Sequence, residues 1–125
     1  MIAGVSLLTI VCAAVIAFVI VGNADSEAHE IKSARGTVTL TKAEARGREV
    51  FGENCANCHT LASANAVGQI GPNLDELKPD AALVRHAVEF GRSNGRGEMP
   101  GRLLSGVELE EVAAYVAAAG GHGAS

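Results

Sequence analysis

The 125-residue chain sets ten Lys and Arg against 14 Asp and Glu, a formal charge of −4. It therefore lacks the basic surface that non-specific nucleic-acid binding requires. Three Phe, one Tyr and no Trp make a thin core, and small domains of that kind often recruit a metal, a disulfide or a cofactor.

The first segment, MIAGVSLLTIVCAAVIAFVIV, holds no Lys, Arg, Asp or Glu. At 1.5 Å per residue it spans about 30 Å, the thickness of a bilayer's hydrocarbon core. The expectation is an uncleaved transmembrane anchor over residues 1–22. The alternative is a signal peptide cut near Gly22-Asn23-Ala24, but such a peptide begins with a basic segment and has an apolar stretch of roughly 7–15 residues. Cys12 follows Val11, where lipid attachment wants a small residue, so it reads as an apolar filler. No basic residue precedes the run, and Lys32 and Arg35 follow it, so charge does not orient it.

Residues 23–40 read as a flexible linker with a reach of roughly 20–25 Å. Its TVTL run suits an extended chain, yet one such piece makes no sheet. A domain is expected over 41–121, with a tail at 122–125. Thr41 and Glu44 match a capping box that opens a first helix, in which Gly47, Val50, Phe51 and Asn54 share a face. Glycine in mid-helix costs about 1 kcal/mol relative to alanine, which points to close packing there. A second helix is expected over 80–91. Pro79 stands at its entrance, Leu83, Ala87 and Phe90 share a face, and Gly91 stops it. A third starts at Ser105, with Glu108 three residues on, runs through Leu109, Val112, Ala113 and Val116, and ends at Gly120-Gly121. No segment alternates apolar and polar residues at length, so the domain reads as all-α.

The motif CANCH, residues 55–59, is where chemistry concentrates. A structural zinc site needs four ligands, and Cys12 is the one cysteine besides Cys55 and Cys58. A thioredoxin-like dithiol needs a strand–helix setting in a parallel sheet. A plain disulfide leaves His59 unexplained. C-x-x-C-H is also the attachment pattern of haem c. Two thiols three apart on a helical turn reach two neighbouring vinyl groups of a porphyrin, and the histidine then points at the iron. Electron-carrying haem commonly takes Met opposite His. Met1 lies in the apolar run, which leaves Met99, in the Gly-rich loop NGRGEMPGR. A loop of that composition brings backbone flush against a flat ligand, whereas a core-filling Met sits in a periodic element.

From Thr41 to Gly120 the chain resembles class I cytochrome c, in the small bacterial single-haem form. GREVF (47–51) resembles the Gly-x-x-x-aromatic of that family's first helix, and VAAYV (112–116) its aromatic-bearing last helix. GPNL (71–74) and the MPG turn resemble its proximal and distal loops. The resemblance implies a fold of three main helices around one covalently bound haem c, with Cys55 and Cys58 attached to it. It implies His59 and Met99 as axial ligands and the carbonyl of Pro72 as acceptor of a bond from His59, a bond that fixes the ring and raises its basicity. It also implies that Gly47 lets the first and last helices cross, with Tyr115 near Phe51. His29, His86 and His122 read as solvated residues.

The function expected from this is single-electron transfer rather than bond chemistry. Its redox partners would be a quinol-oxidising complex, a terminal oxidase or a photosynthetic assembly. The expected location is the inner membrane, single-pass, with the haem domain on the periplasmic face. Arg92, Arg96 and Arg102 around the Met99 loop suggest a locally positive rim, opposed there by Glu98. A haem sensor or peroxidase-like protein with an open sixth iron site is the alternative.

Overall fold

The computed structural model describes residues 9–18, 29–33, 36–94 and 97–120. Residues 9–18 form a helix, α1. At 1.5 Å per residue it is about 15 Å long, half a hydrocarbon core. Among the described residues no helix is long and apolar enough to cross a membrane. The expected inner-membrane, single-pass location is therefore corrected. The rest of the apolar run, residues 1–8 and 19–22, and the tail at 122–125 lie outside the described residues.

Part of the stretch expected to be a flexible linker without a sheet forms one. Within 23–40, β1 (His29–Ser33) pairs antiparallel with β2 (Gly36–Leu40), setting Ile31 opposite Val38 and His29 opposite Leu40. Val38 and Leu40 alternate with Thr37 and Thr39, the period that puts one face of a strand inward. Val38 is 5% and Leu40 0% exposed. Gly36 has φ 136°, a conformation that glycine reaches at no steric cost. A second small sheet pairs β3 (Thr60–Leu61) with β4 (Ala66–Val67). The domain is thus mostly helical rather than all-α.

Helix α2 is Lys42–Asn54, and its capping box forms on both sides. Thr41 N–H donates to Glu44 Oε2 at 2.7 Å, and Glu44 N–H to Thr41 Oγ1 at 3.3 Å. A short α3 (Leu74–Leu77) follows the second sheet, capped by Asn73. Helix α4 is Ala81–Phe90, capped by Asp80, whose Oδ1 accepts from Leu83 N–H at 2.7 Å. Of the face expected on α4, Ala87 is buried, but Phe90 is 67% exposed, because it stands in the helix's last position beside the Met99 loop. Helix α5 is Gly106–Ala119; Ser105 is its N-cap, but the Ser105 side chain makes no capping bond.

The core forms where α2 crosses α5. A Cβ built on Gly47 would overlap the carbonyl of Glu111 and come within 2.8 Å of Tyr115 Cβ, so only hydrogen fits there. Four residues on, Phe51 meets Tyr115 edge-to-face, with centroids 5.9 Å apart and planes at 67°. Such pairs add roughly 0.5–1.5 kcal/mol beyond area burial. Leu61, Leu74, Val112 and Val116 join the cluster, and Cys55 lies within it. Arg46 Nε donates to Glu111 Oε1 across the crossing at 2.6 Å, while Arg85 and Glu110 make an exposed pair at 2.8 Å, a type worth little.

Replacing Gly47 with alanine should gain about 1 kcal/mol in helix propensity and lose more through overpacking, for a net loss of about 2 kcal/mol. Denaturant unfolding followed by circular dichroism measures it; an unchanged or raised midpoint would contradict the crossing.

Candidate functional site

The CANCH motif is the turn on which α2 ends. Cys55 N–H still donates to Phe51 O at 2.8 Å. The Cys55 carbonyl then accepts from both Cys58 N–H and His59 N–H, each at 3.0 Å. Cys55 is buried and Cys58 half-buried, and both are free thiols. Burial, and after it the neighbouring Cys58, pushes the Cys55 thiol up to about 11. Reactive dithiols work the other way, with a depressed thiol that ionises near neutrality. Burial thus leaves Cys55 without the depressed thiol of a reactive dithiol.

His59 is held by one bond whose direction follows from its partner. Its Nδ1 lies 2.9 Å from Pro72 O. A carbonyl can only accept, so Nδ1 carries the proton and Nε2 keeps its lone pair for a metal. Gly71, beside Pro72, faces the ring: a Cβ there would come within 2.8 Å of Nδ1 and overlap Cε1. Gly71 N–H also donates to Cys58 O at 2.7 Å. Gly68 is pressed likewise against the backbone of Ala56, Asn57 and Cys58. Pro72 was legible in the sequence; the parts of Gly71 and Gly68 were not, since nothing local marks which glycine a ring will cover.

Met99 sits on a two-strand contact with Arg92. Its N–H donates to Arg92 O at 2.8 Å, and Arg92 N–H to Met99 O at 3.0 Å. The contact needs Gly91 at φ 76°; a Cβ on Gly91 would also meet Met99 O at 2.6 Å. Met99 lines an open groove with His86, Phe90 and Arg92. His59 and the two thiols do not line that groove. The two halves approach through Ile70 and Gly97, where a Cβ on Gly97 would lie 3.3 Å from Ile70 Cγ2. His86 is exposed, as expected, with its ring 4.9 Å from that of Phe90. Arg92 and Arg102 are exposed; Arg96 lies outside the described residues.

These features fit a covalently bound porphyrin. Paired free thiols stand on one turn, with an oriented imidazole next to them and a thioether on a fixed loop. Val67, Ile70 and Phe90, at 79%, 61% and 67% exposure, offer apolar surface beside both halves. Among the described residues no three His, Cys, Asp or Glu side chains converge as a metal cluster.

The polypeptide behind the site is fastened by Tyr115. Its hydroxyl lies 2.7 Å from Ser63 Oγ, and Arg48 Nε donates to Ser63 O at 2.9 Å. Burial raises the Tyr115 phenol, although Ser63 and Arg48 pull it the other way.

Comparison with known proteins gives consistent matches. Residues 42–116 match the family profile described as cytochrome c oxidase, cbb3-type, subunit III. The cbb3-type cytochrome c oxidase subunit FixP of Bradyrhizobium diazoefficiens is 34% identical over 88 residues, 62% of this chain but 30% of FixP. Cytochrome c6 of Euglena viridis is 34% identical, over 56% of this chain and 85% of its own length. Cytochrome c-551 of Bacillus subtilis is 31% identical, over 73% and 76%. The crystal structure of the c-type cytochrome SorU from Sinorhizobium meliloti superposes with a TM-score of 0.52 at 54% identity, covering 62% of this chain and 92% of that one.

A raised phenol fixes the sign of one pH effect. As pH passes about 10, the ordinary value for tyrosine, the unfolded chain loses its proton before the folded one, so stability falls with further rise in pH. Tyr115→Phe should lose about 1 kcal/mol at neutral pH, from the bond to Ser63. It should also show a shallower decline of unfolding free energy over roughly pH 9 to 11. Equal slopes in the two proteins would contradict the burial argument.

Proposed function

This chain belongs to the cytochrome c family, carries covalently attached haem c and serves electron transfer; on that premise we propose that it is a single-haem carrier feeding electrons to a terminal oxidase. Cys55 and Cys58 are assigned the thioether bonds. His59, through Nε2, and Met99 are assigned the two axial positions, and Pro72 the acceptor behind His59. Haem c supplies a one-electron couple between ferric and ferrous iron.

The observation that supports this most is the His59 Nδ1–Pro72 O bond at 2.9 Å. It presents a single imidazole nitrogen, fixes the plane of the ring and raises its basicity. Met99 is tied by two backbone bonds to Arg92, so neither ligand has to move when charge changes. Were His59 and Met99 both to hold the iron, no position would be left for an exchangeable ligand, which would suit transfer of charge and not chemistry on a bound molecule. A thioether ligand raises the potential, in keeping with a place late in an electron-transfer chain. The oxidase partner is argued from FixP and from the description of the matching family. A quinol-oxidising complex is the corresponding donor. A photosynthetic acceptor is the alternative partner.

Replacing Met99 with alanine should abolish the ferric far-red charge-transfer band, lower the potential and let the reduced protein bind CO at neutral pH. Wild-type protein that already lacks the band and binds CO would overturn the carrier reading in favour of an open-site sensor or peroxidase.

The exposed side chains of Arg92 and Arg102 flank the Met99 loop, and we read them as part of a docking rim for an acidic partner surface. Arg92→Glu leaves the backbone contact with Met99 in place. It should slow bimolecular transfer and flatten its salt dependence in stopped-flow measurements; rates and salt slopes equal to wild type would remove the rim.

A further inference from the structure

The loop that carries Pro72 is closed on itself by one buried carboxylate. Asp75 stands on α3, 1% exposed, and its Oδ2 accepts the N–H of Ala62 at 2.9 Å. Its own N–H donates to Asn73 Oδ1 at 3.0 Å, and Asn73 directly follows Pro72. Two successive ties therefore cross the same loop: His59 to Pro72, then Ala62 to Asp75. The near side is anchored independently, because Ser63 is held by Arg48 of α2 and Tyr115 of α5. A carboxylate is costly to bury even when hydrogen-bonded, and an apolar residue of similar size would fill the space at lower cost. What the carboxylate adds is direction: it sets α3, and so Pro72, at a fixed height above the residues after His59.

We propose that Asp75 is a positioning residue for His59, governing the strength of the Nδ1 bond to Pro72 by clamping Ala62 to α3. The proposal rests on the reading of His59 as an iron ligand. A tighter bond on Nδ1 makes the imidazole more basic and favours the ferric state. Loosening the clamp should therefore raise the reduction potential.

The test uses haem-loaded full-length protein: wild type, Asp75→Ala, Asp75→Asn, Ala62→Pro and Val112→Ala. The readouts are the reduction potential and the solvent-exchange rate of the His59 Nδ1 proton by NMR. Asp75→Ala should raise the potential and speed exchange by roughly five- to tenfold, the equivalent of one net hydrogen bond. Asp75→Asn keeps an acceptor oxygen and should stay near wild type. Ala62→Pro removes the donor and spares the carboxylate. Leu61, at φ −154° and ψ 111°, already has the extended backbone that precedes proline, and Ala62 is the first residue of a 3₁₀ turn, where proline is tolerated. That variant should behave as Asp75→Ala does, and decides the matter if Asp75→Ala fails to fold. Val112→Ala opens a cavity on α5 while leaving every bond of the loop in place, so it should lower stability and move neither readout. Haem-loaded Asp75→Ala or Ala62→Pro with wild-type values, or an equal shift in Val112→Ala, would overturn the proposal alone. Wild-type protein that takes up no haem would overturn the ligand reading and this proposal together.

Discussion

A bond from a ring nitrogen to a proline carbonyl joins the two parts of the molecule that matter most. On one side is the turn at the end of α2 that presents Cys55, Cys58 and His59; on the other is the loop that leads into α3. Because Pro72 O can only accept, the bond determines which nitrogen of His59 is protonated and which keeps its lone pair. Gly71, with no room for a side chain against the ring, makes the bond sterically possible. The α2–α5 crossing at Gly47 in turn fixes the end of α2 relative to the rest of the core.

The chemistry was far easier to read in the sequence than the architecture that holds it. A covalent attachment motif is a local pattern, so CANCH, Pro72 and Met99 stood out from spacing and resemblance. The capping box at Thr41 and the tight crossing at Gly47 were legible for the same reason, since each is a local choice with a known cost. The hairpin at 29–40 was not. TVTL has the alternation of a strand, but its partner, HEIKS, offers a single apolar residue, Ile31, and pairing depends on backbone that composition does not reveal. A helical wheel groups Phe90 with Leu83 and Ala87 but does not reveal that the last turn opens onto a loop, which leaves Phe90 exposed. Asp75 and Ser63 left no signal at all; that one would be buried against Ala62 N–H and the other against Tyr115 and Arg48 is visible only once the chain is folded.

The match to the family begins at residue 42, yet Val38 and Leu40 belong to the same buried cluster as Phe51 and Tyr115. The hairpin is thus part of the domain's core although it precedes the matched region. With few aromatic side chains available, the extra strand pair supplies apolar volume that the helices lack. It also packs near the 3₁₀ turn at Ala62–Ala64, on the loop that ends at Pro72. Core packing and ligand geometry therefore share one short stretch of backbone.

The account stands on Cys55, Cys58 and His59 acting as one unit that holds haem c. The most direct measurement is absorption of the pyridine haemochrome together with peptide mass spectrometry, on protein expressed alongside a working attachment machinery. The expected result is one haem per chain, bonded to the peptide that contains both cysteines. A colourless protein in which Cys55 and Cys58 are both open to alkylation once unfolded would contradict it.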